Sequence, residues 1–223
     1  MTSSGQPTAK DLAERQVPYR AFRESKYADW VADILSQIRG TVLDLGCGDG
    51  AFTRPLLARG HGVVSADLSL GRLTAIKGLG AALLEADAVS MPFRDNCYDT
   101  VLFTEVLEHL PDRAAQRRAL AEFARVLRPG GRLVLTTPNR PVYRIMARLW
   151  SWFGGQPPDP THFSELDLSE LQALVSESFD IIAIRGKFGV LPWPLLQRLF
   201  SSRPEWCYDI LVVAEHRKGG GRS

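Results

Sequence analysis

A glycine-rich turn between an apolar segment and a helical segment constrains the fold of this chain more than any other feature. The apolar run 41–45 is followed by Gly46, Gly48 and Gly50, and the helical pattern 51–60 comes next. Glycine is needed where the backbone turns with positive φ or where a ligand approaches main-chain atoms closely. Because free N–H groups face outward where such a turn enters a helix, the pattern predicts a ligand-binding loop.

Strand-like and helical segments alternate along the rest of the chain. Most of the strand-like segments are continuously apolar, which is typical of a parallel sheet covered by helices on both faces. The predicted strands are 41–46, 62–67, 81–87, 98–105, 132–138, 179–186 and 206–216. The predicted helices are 11–38 with a break at Pro18, 51–60, 70–80, helical material up to Leu127, and 168–178. The sequence therefore predicts an α/β fold with a doubly wound, mostly parallel sheet, whose ligands bind at the carboxyl ends of the strands.

Length and composition indicate one globular domain. The chain has 223 residues, a net charge of +2 and 45% hydrophobic residues, which excludes a disordered chain and a strongly basic nucleic-acid coat. We expect a disordered end at 1–9, a single domain at 10–216 and a flexible basic tail at 217–223. Within the domain, we expect 140–163 and 187–205 to form lid or acceptor-binding insertions.

Cysteine usage and hydropathy favour the cytoplasm. The chain has 3 widely spaced cysteines and no CxxC pair, which argues against a disulfide framework and against a cysteine zinc site. The N-terminal segment has no apolar core of the signal-peptide kind. No apolar run approaches the ~20 residues that a spanning helix needs. We therefore expect a cytoplasmic protein, with contact at a membrane surface left open.

Acidic residues occupy three successive strand ends. Asp44 precedes the first glycine of the loop, where a carboxylate repels a pyrophosphate but attracts a cation such as S-adenosylmethionine. Asp67 ends the second strand, where a carboxylate can accept hydrogen bonds from ribose hydroxyls. Asp87 ends the third strand, where it can accept from an adenine amino group. Each acid alone also suits a brace, a helix cap or a turn, but one cationic nucleoside accounts for all three.

These segments together resemble the class I S-adenosylmethionine-dependent methyltransferases. The resemblance is carried by VLDLGCGDG, SADLS, EADAVSMPFRDNCYDTV, EVLEHL and LRPGGRLVLTTPNR, over roughly 40–140. It implies a Rossmann-like sheet of seven strands with the last one antiparallel. It also implies a cofactor site made of Asp44, Gly46, Cys47, Gly48 and Gly50 at the methionine end, Asp67 at the ribose, Leu68, Asp87 and Ala88 at the adenine, and Thr104 at the methyl-transfer site.

The segment after the fourth strand offers groups for the methyl acceptor. Glu105, Glu108 and His109 are spaced to share one face of a helix, and His162 is the best placed of the other histidines. His109 or His162 can act as a general base for a hydroxyl acceptor. Alternatively, all four residues can hold Mg²⁺, Mn²⁺ or Zn²⁺. The pattern resembles the metal site of the small-RNA 2′-O-methyltransferases and is similar to the ubiquinone-pathway O-methyltransferases.

A basic and apolar segment follows the fifth strand. Apolar residues of 142–153 fall on one helical face beside Arg140, Arg144 and Arg148. Three interpretations stay open: a lid over the acceptor, an interfacial membrane helix, or a phosphate-contacting stripe for RNA.

We conclude that the sequence favours an S-adenosylmethionine-dependent methyltransferase acting on oxygen of a small or lipid-like acceptor. One alternative is metal-assisted methylation of RNA 2′-hydroxyls, with nucleic acid the less favoured partner. A second is a non-catalytic regulatory module that binds the cofactor. An NAD-linked reductase is least favoured, because it leaves Asp44 unexplained.

Overall fold

The computed structural model describes residues 28–152, 159–187 and 203–217. The helices are α1 Ala28–Ser36, α2 Thr53–Ala58, α3 Leu70–Ala75, α4 Arg113–Val126, α5 Arg140–Trp152 and α6 Leu168–Ser176. The strands are β1 Val42–Leu45, β2 Val63–Asp67, β3 Ala82–Glu85, β4 Tyr98–Thr104, β5 Leu127–Pro138, β6 Phe179–Lys187 and β7 Asp209–His216. The expectations for 1–9, for the helix before Ala28, for most of 187–205 and for the tail after Arg217 lie outside the described residues.

The strands form one seven-stranded sheet in the order β3-β2-β1-β4-β5-β7-β6. Neighbours from β3 through β5 pair in parallel, and β7 pairs antiparallel with both β5 and β6. The predicted fold class, including the antiparallel last strand, is confirmed. Because β7 runs against the others, its first residue, Asp209, lies at the same edge as the carboxyl ends of β1 to β6.

Burial on both faces explains why the central strands are continuously apolar. In β4, Val101 and Phe103 face one apolar cluster, where the Phe103 ring lies 4.8 Å from that of Phe123 on α4. Leu102 faces the opposite cluster, which contains Ile34 of α1. Helices therefore cover the sheet from both sides, as expected for a doubly wound α/β domain.

The segment between β4 and α4 is not the continuous helix that the sequence suggested. Glu105 adopts a left-handed backbone with φ of 53°, and its N–H donates to the carbonyl of Thr136 on β5. A short 3₁₀ turn spans Leu107–His109, and α4 begins only at Arg113 behind the N-cap Asp112. The premise that Glu105 shares a helical face with Glu108 and His109 is therefore wrong.

Asn139 fixes the exit of β5. Its side-chain amide donates to the carbonyls of Pro204, Glu205 and Cys207, at 3.4, 3.0 and 3.1 Å, and so ties the end of β5 to the chain that enters β7.

The helix α5 starts at the next residue and confirms the predicted helical character of 140–152. Among the described helices, none has the length and apolar character to cross a membrane.

Candidate active site

The glycine loop lies at the carboxyl edge of the sheet, between β1 and α2. The N–H groups of Gly46 and Cys47 donate to the carbonyl of Ala66, at 2.7 and 3.1 Å, so the loop is bonded to the end of β2. Gly46 has φ of 70°, and a Cβ there would lie 2.4 Å from Cγ2 of Val106. The position therefore excludes a side chain both by backbone conformation and by lack of space.

Replacing Gly46 by alanine should destabilise the fold more than the same change at Gly60. Both glycines have positive φ, of 70° and 80°, but a Cβ at Gly60 meets nothing within 4 Å. Left-handed strain alone costs about 1 kcal/mol or more, and overpacking adds about 1–3 kcal/mol. Urea unfolding of Gly46→Ala and Gly60→Ala separates the two effects, and equal losses in the two variants would contradict the predicted clash with Val106.

Asp67 joins the loop to the end of β2. The residue is 5% exposed, and its Oδ2 accepts from the N–H of Gly48 at 2.9 Å. Its Oδ1 accepts from the N–H of Ser69, also at 2.9 Å. Each oxygen keeps a second lone pair, since a carboxylate has about four acceptor sites. The carboxylate is thus placed against the loop with acceptor capacity left for a ligand.

Asp44 lies beneath the same loop, buried at the end region of β1. Its Oδ2 accepts from the hydroxyl of Thr53 at 2.6 Å, and Thr53 lies 2.9 Å from the hydroxyl of Ser65. Burial raises the pKa of Asp44 to about 7, the Thr53 hydrogen bond partly offsets this, and the charge of Asp67 raises it further. The carboxylate therefore braces the start of α2, and a cation beside it would stabilise its charged form.

The remaining predicted cofactor residues lie around this loop with different exposures. Asp87 accepts from the N–H of Val89 at 3.0 Å within a turn, and Ala88 is buried. Leu68 and Thr104 are half-buried at the ends of β2 and β4. Cys47 is buried, and burial raises the pKa of its thiol, so it stays protonated. Their contacts with a cofactor stay a prediction.

The structure brings His109 and His162 together, as the sequence suggested. Their ring centroids are 4.8 Å apart. The Nδ1 of His109 lies 2.9 Å from the carbonyl oxygen of Thr161, and because a carbonyl only accepts, Nδ1 carries the proton. The Nε2 of His109 is therefore the basic nitrogen. Burial, together with the neighbouring His162, lowers the pKa of His109 to about 4, so the ring is neutral near pH 7.

Glu108, His109 and His162 form a compact group of potential metal ligands. One donor atom from each lies within 4.8 Å of the others. Glu108 Oε2 accepts from the hydroxyl of Thr137 at 3.0 Å, while its buried Oε1 has no hydrogen-bond partner among the described residues. The other predicted ligand, Glu105, is not in this group, because its left-handed backbone breaks the helical spacing on which that prediction depended.

Glu105 lies near Asp209 as well as near Glu108, and the sequence reasoning did not identify Asp209. Burial raises the pKa of Glu105 to about 7, and burial plus the Glu105 charge raises the pKa of Asp209. Lys187, opposite Asp209 across the β6–β7 pair, acts against that rise. The only sequence signal was an aspartate at the start of an apolar run, and its meaning depends on β7 being antiparallel.

The arginines of α5 are engaged with neighbouring acids. Arg140 forms ion pairs with Asp167 and Glu170, both at 2.8 Å. Arg144 pairs with Glu165 at 2.8 Å. The predicted arginine stripe is therefore partly neutralised, which weakens its interpretation as a phosphate-contacting surface.

Sequence comparisons relate the central part of the chain to methyltransferases. A family profile described as "Methyltransferase domain" matches residues 43–135. A demethylmenaquinone methyltransferase of Corynebacterium kroppenstedtii is 36% identical over 110 residues, which make up 49% of this chain and 47% of that protein. The chain thus spans about half the length of the curated relatives that it matches.

Similar folds occur among solved structures. A Pyrococcus horikoshii protein superposes with a TM-score of 0.68 at 20% identity, covering 92% of this chain and 99% of that one. A structure described as a SAM-dependent methyltransferase of Methanosarcina mazei gives 0.63 at 20% identity, covering 84% of this chain and 98% of the other. At this level of identity the likeness establishes the fold.

Proposed function

We propose that this chain carries a class I S-adenosylmethionine-dependent methyltransferase domain and that it methylates an oxygen of a small or lipid-like acceptor. The observation that carries the proposal is His109, buried and neutral, with its Nδ1–H bound to Thr161 and its Nε2 left as a base. This base follows the end of β4, on the same edge of the sheet as the glycine loop. The demethylmenaquinone methyltransferase relative supports a lipid-like acceptor.

The residues around the glycine loop fit S-adenosylmethionine. Gly46, Gly48 and Gly50 all have positive φ, which lets the loop turn sharply at the carboxyl edge of the sheet. The buried carboxylate of Asp44 suits a cationic ligand rather than a phosphate. Asp67 has acceptor capacity for the ribose hydroxyls, and Asp87 with Ala88 stands where the adenine edge is expected. The cofactor, when bound, supplies an electrophilic methyl group on a sulfonium.

The chain's own contribution to chemistry is alignment, exclusion of water and removal of a proton. An acceptor hydroxyl within reach of His109 Nε2 gives its proton to that nitrogen as the oxygen takes up the methyl group. The Thr161 carbonyl holds the ring orientation, and the Thr161 hydroxyl, which donates to Asp159 at 2.6 Å, fixes the segment that carries it. His162 packs against His109 and Tyr143, with ring centroids 4.8 and 4.9 Å away.

A methyl-transfer screen tests the proposed function directly. Labelled S-adenosylmethionine would be offered with phenols, sugars, quinols and RNA as acceptors. We expect label to enter a small or lipid-like hydroxyl compound and to depend on His109. Label in RNA alone would favour the alternative acceptor, and cofactor binding without transfer to any acceptor would favour a regulatory module.

Metal-assisted methyl transfer is a second candidate function, and the buried Oε1 of Glu108, which has no hydrogen-bond partner among the described residues, favours it. Nδ1 of His109 lies 2.9 Å from Thr161 O, and Nδ1 of His162 lies 3.4 Å from Glu165 Oε1. These contacts anchor both rings and leave the lone pair of each Nε2 atom available to a metal ion. Anchored imidazoles of this kind are typical of metal ligands. Bound there, Mg²⁺, Mn²⁺ or Zn²⁺ would lower the pKa of an acceptor hydroxyl.

Removal of one ligand tests the metal. If the metal binds, His162→Ala should lower its affinity by about 10-fold or more, as measured by metal analysis after dialysis. EDTA should then reduce methyl transfer by the parent protein. The matched control is His216→Ala, since that ring lies beside the carbonyls of Leu127 and Arg128 and the ring of Phe179 and is not in the group of potential metal ligands. Activity that survives both EDTA and His162→Ala would remove the metal from the mechanism.

The apolar face of α5 supports contact with a membrane surface that holds a lipid-like acceptor. Ile145, Leu149 and Trp152 are spaced by four and three residues and are 59%, 43% and 86% exposed. A helix with such a face beside arginines is typical of interfacial binding.

Replacing two of these side chains should weaken vesicle binding. Burying each one contributes about 1.5–3 kcal/mol, so Leu149→Ser with Trp152→Ser should reduce co-flotation with anionic phosphatidylglycerol vesicles by about 10-fold or more. The control, Ile182→Ser, changes a residue that is 49% exposed on the edge strand β6 and should leave flotation unchanged. Equal flotation of both variants with the parent would argue against a membrane contact through α5.

A further inference from the structure

Three buried acceptor atoms lie at the edge of the sheet formed by the carboxyl ends of β4 and β5 and the amino end of β7. They are Glu105 Oε1, Asn139 Oδ1 and Asp209 Oδ1, and none has a hydrogen-bond partner among the described residues. Asn139 and Asp209 are 1% and 2% exposed. Buried polar groups in native proteins are normally hydrogen-bonded, so three orphaned oxygens at one edge of the sheet require an explanation.

The topology brings these three residues into one neighbourhood. Asp209 pairs with Pro138 across the β5–β7 ladder, and Asn139 is the next residue of the chain. Glu105 is bonded through its backbone to Thr136, and its charge raises the pKa of Asp209. Thr104, the residue before Glu105, is at the expected methyl-transfer position.

The hydrogen bonds around these residues use the available donors and leave the side-chain oxygens without a partner. The amide nitrogen of Asn139 donates to three carbonyls, and these bonds fix the orientation of the side chain. In this orientation Oδ1 accepts no hydrogen bond from the described residues. Glu105 holds a left-handed backbone, a conformation that is costly for a residue with a side chain and is concentrated at functional sites. Acceptor oxygens thus outnumber donors in this neighbourhood, where the nearby donors include the Thr136 hydroxyl beside Glu105 and Lys187 across from Asp209.

We propose that Glu105, Asn139 and Asp209 form an acceptor-recognition subsite that binds hydrogen-bond donors, either hydroxyl or amine, on the head group of the methyl acceptor. The subsite rests on the proposed function, because it lies beside the expected methyl-transfer position. It adds a chemical requirement to that function: besides the reacting hydroxyl, the acceptor presents further O–H or N–H groups to these oxygens. The apolar part of the acceptor then extends away from the buried edge.

Three probes that differ in one group test the requirement. Tyramine, tyrosol and 4-ethylphenol share a para-ethylphenol scaffold and carry an amine, a hydroxyl or neither at the end of the ethyl chain. Binding would be measured calorimetrically to the protein saturated with S-adenosylhomocysteine. We expect tyramine or tyrosol to bind at least about 10-fold more tightly than 4-ethylphenol, since a buried polar site discriminates strongly against a ligand that leaves it unpaired. The stronger of the two identifies the donor as amine or hydroxyl.

Variants assign the preference to the subsite. Asp209→Asn and Glu105→Gln should each reduce the preference to below about threefold, whereas Asp180→Asn, at an exposed carboxylate on β6, should keep it. Equal binding of the three probes, absence of binding by all three, or a preference that survives both variants would overturn the subsite. Affinity for S-adenosylhomocysteine is measured in the same experiment, so its loss would signal failure of the proposed function instead.

Stability gives a readout that needs no acceptor. If Glu105 is kept for a ligand, then Glu105→Met, which replaces an orphaned carboxyl by an apolar side chain of similar size, should raise the melting temperature of the ligand-free protein by about 2–4 °C. If Glu105 served the fold, the same change would lower it. A lower melting temperature in Glu105→Met would therefore contradict the subsite even if no probe were available.

Discussion

Replacing Asp67 by alanine should raise the dissociation constant for S-adenosylhomocysteine by about 100-fold or more. Asp67 is expected to accept both ribose hydroxyls, and hydrogen bonds to a charged group contribute about 1.5–3 kcal/mol each. The alanine variant also releases the N–H groups of Gly48 and Ser69, which Asp67 holds at 2.9 Å, so the glycine loop loses one of its connections to the end of β2. Isothermal titration calorimetry measures the change.

Two further variants separate ribose binding from loop support. Asp67→Asn keeps one carbonyl oxygen and the size of the side chain, so it should lose affinity but less than alanine does. Asp180→Asn removes an exposed carboxylate on β6 and should bind as the parent does. The cofactor assignment would be wrong if Asp67→Ala bound S-adenosylhomocysteine normally, or if the parent bound NAD instead.

Removal of the His109 side chain should lower kcat by about 10²–10⁴-fold, the usual contribution of a general base. Affinity for S-adenosylhomocysteine should stay within about threefold of the parent, because His109 contacts Thr161 and His162 rather than the glycine loop. His61→Ala is the matched control, since that histidine precedes β2 at the opposite edge of the sheet and bonds to the carbonyl of Gly40. Steady-state kinetics with an acceptor from the screen checks both variants.

The pH dependence of the parent protein should carry the signature of a buried, neutral base. Burial and His162 lower the pKa of His109 from 6.5 to about 4, with Asp159 acting against the shift and Arg72 adding to it. The base is therefore free above about pH 4, and kcat/KM should hold across pH 5–7 and fall only at more acidic pH. A decline in kcat/KM centred near the ordinary value of about 6.5 would contradict the proposal that the buried ring of His109 is the base.

The lowered pKa of His109 also predicts how the free energy of unfolding changes with pH. Between pH 6.5 and about 4, an unfolded chain protonates His109 while the folded protein does not. Because the unfolded state then binds more protons, His109 makes the free energy of unfolding decrease as pH falls through that window. Urea unfolding at pH 7 and pH 5 should show a smaller difference for His109→Gln than for the parent.

The parts that sequence predicted well are those fixed by local pattern. The glycine loop and Asp67 could be placed because an apolar run, a turn and a helix follow each other directly in the chain, and the same alternation gave the sheet. Asp44 was placed correctly, but its bond to Thr53 was not foreseen, because that contact depends on how α2 packs over β1.

The parts that sequence missed are set by contacts between distant segments. The left-handed backbone at Glu105 depends on a hydrogen bond to Thr136, and helical spacing alone gives no sign of it. The basic nitrogen of His109 is decided by Thr161, which lies 52 residues away along the chain. Asp209 lies at the same edge as the candidate site because β7 is antiparallel, so that its first residue lies where the parallel strands end.

The position of β7 inside the sheet also governs the order in which the protein can assemble during synthesis. The β6 strand pairs with β7 and with no other strand of the described sheet, so it emerges from the ribosome before its partner exists. Until Asp209–His216 is made, β5 and β6 both present open hydrogen-bonding edges, which are prone to pair with other chains. Nascent chains that stall before Asp209 are therefore at risk of aggregation, and they also lack the carboxylate that completes the proposed acceptor-recognition subsite.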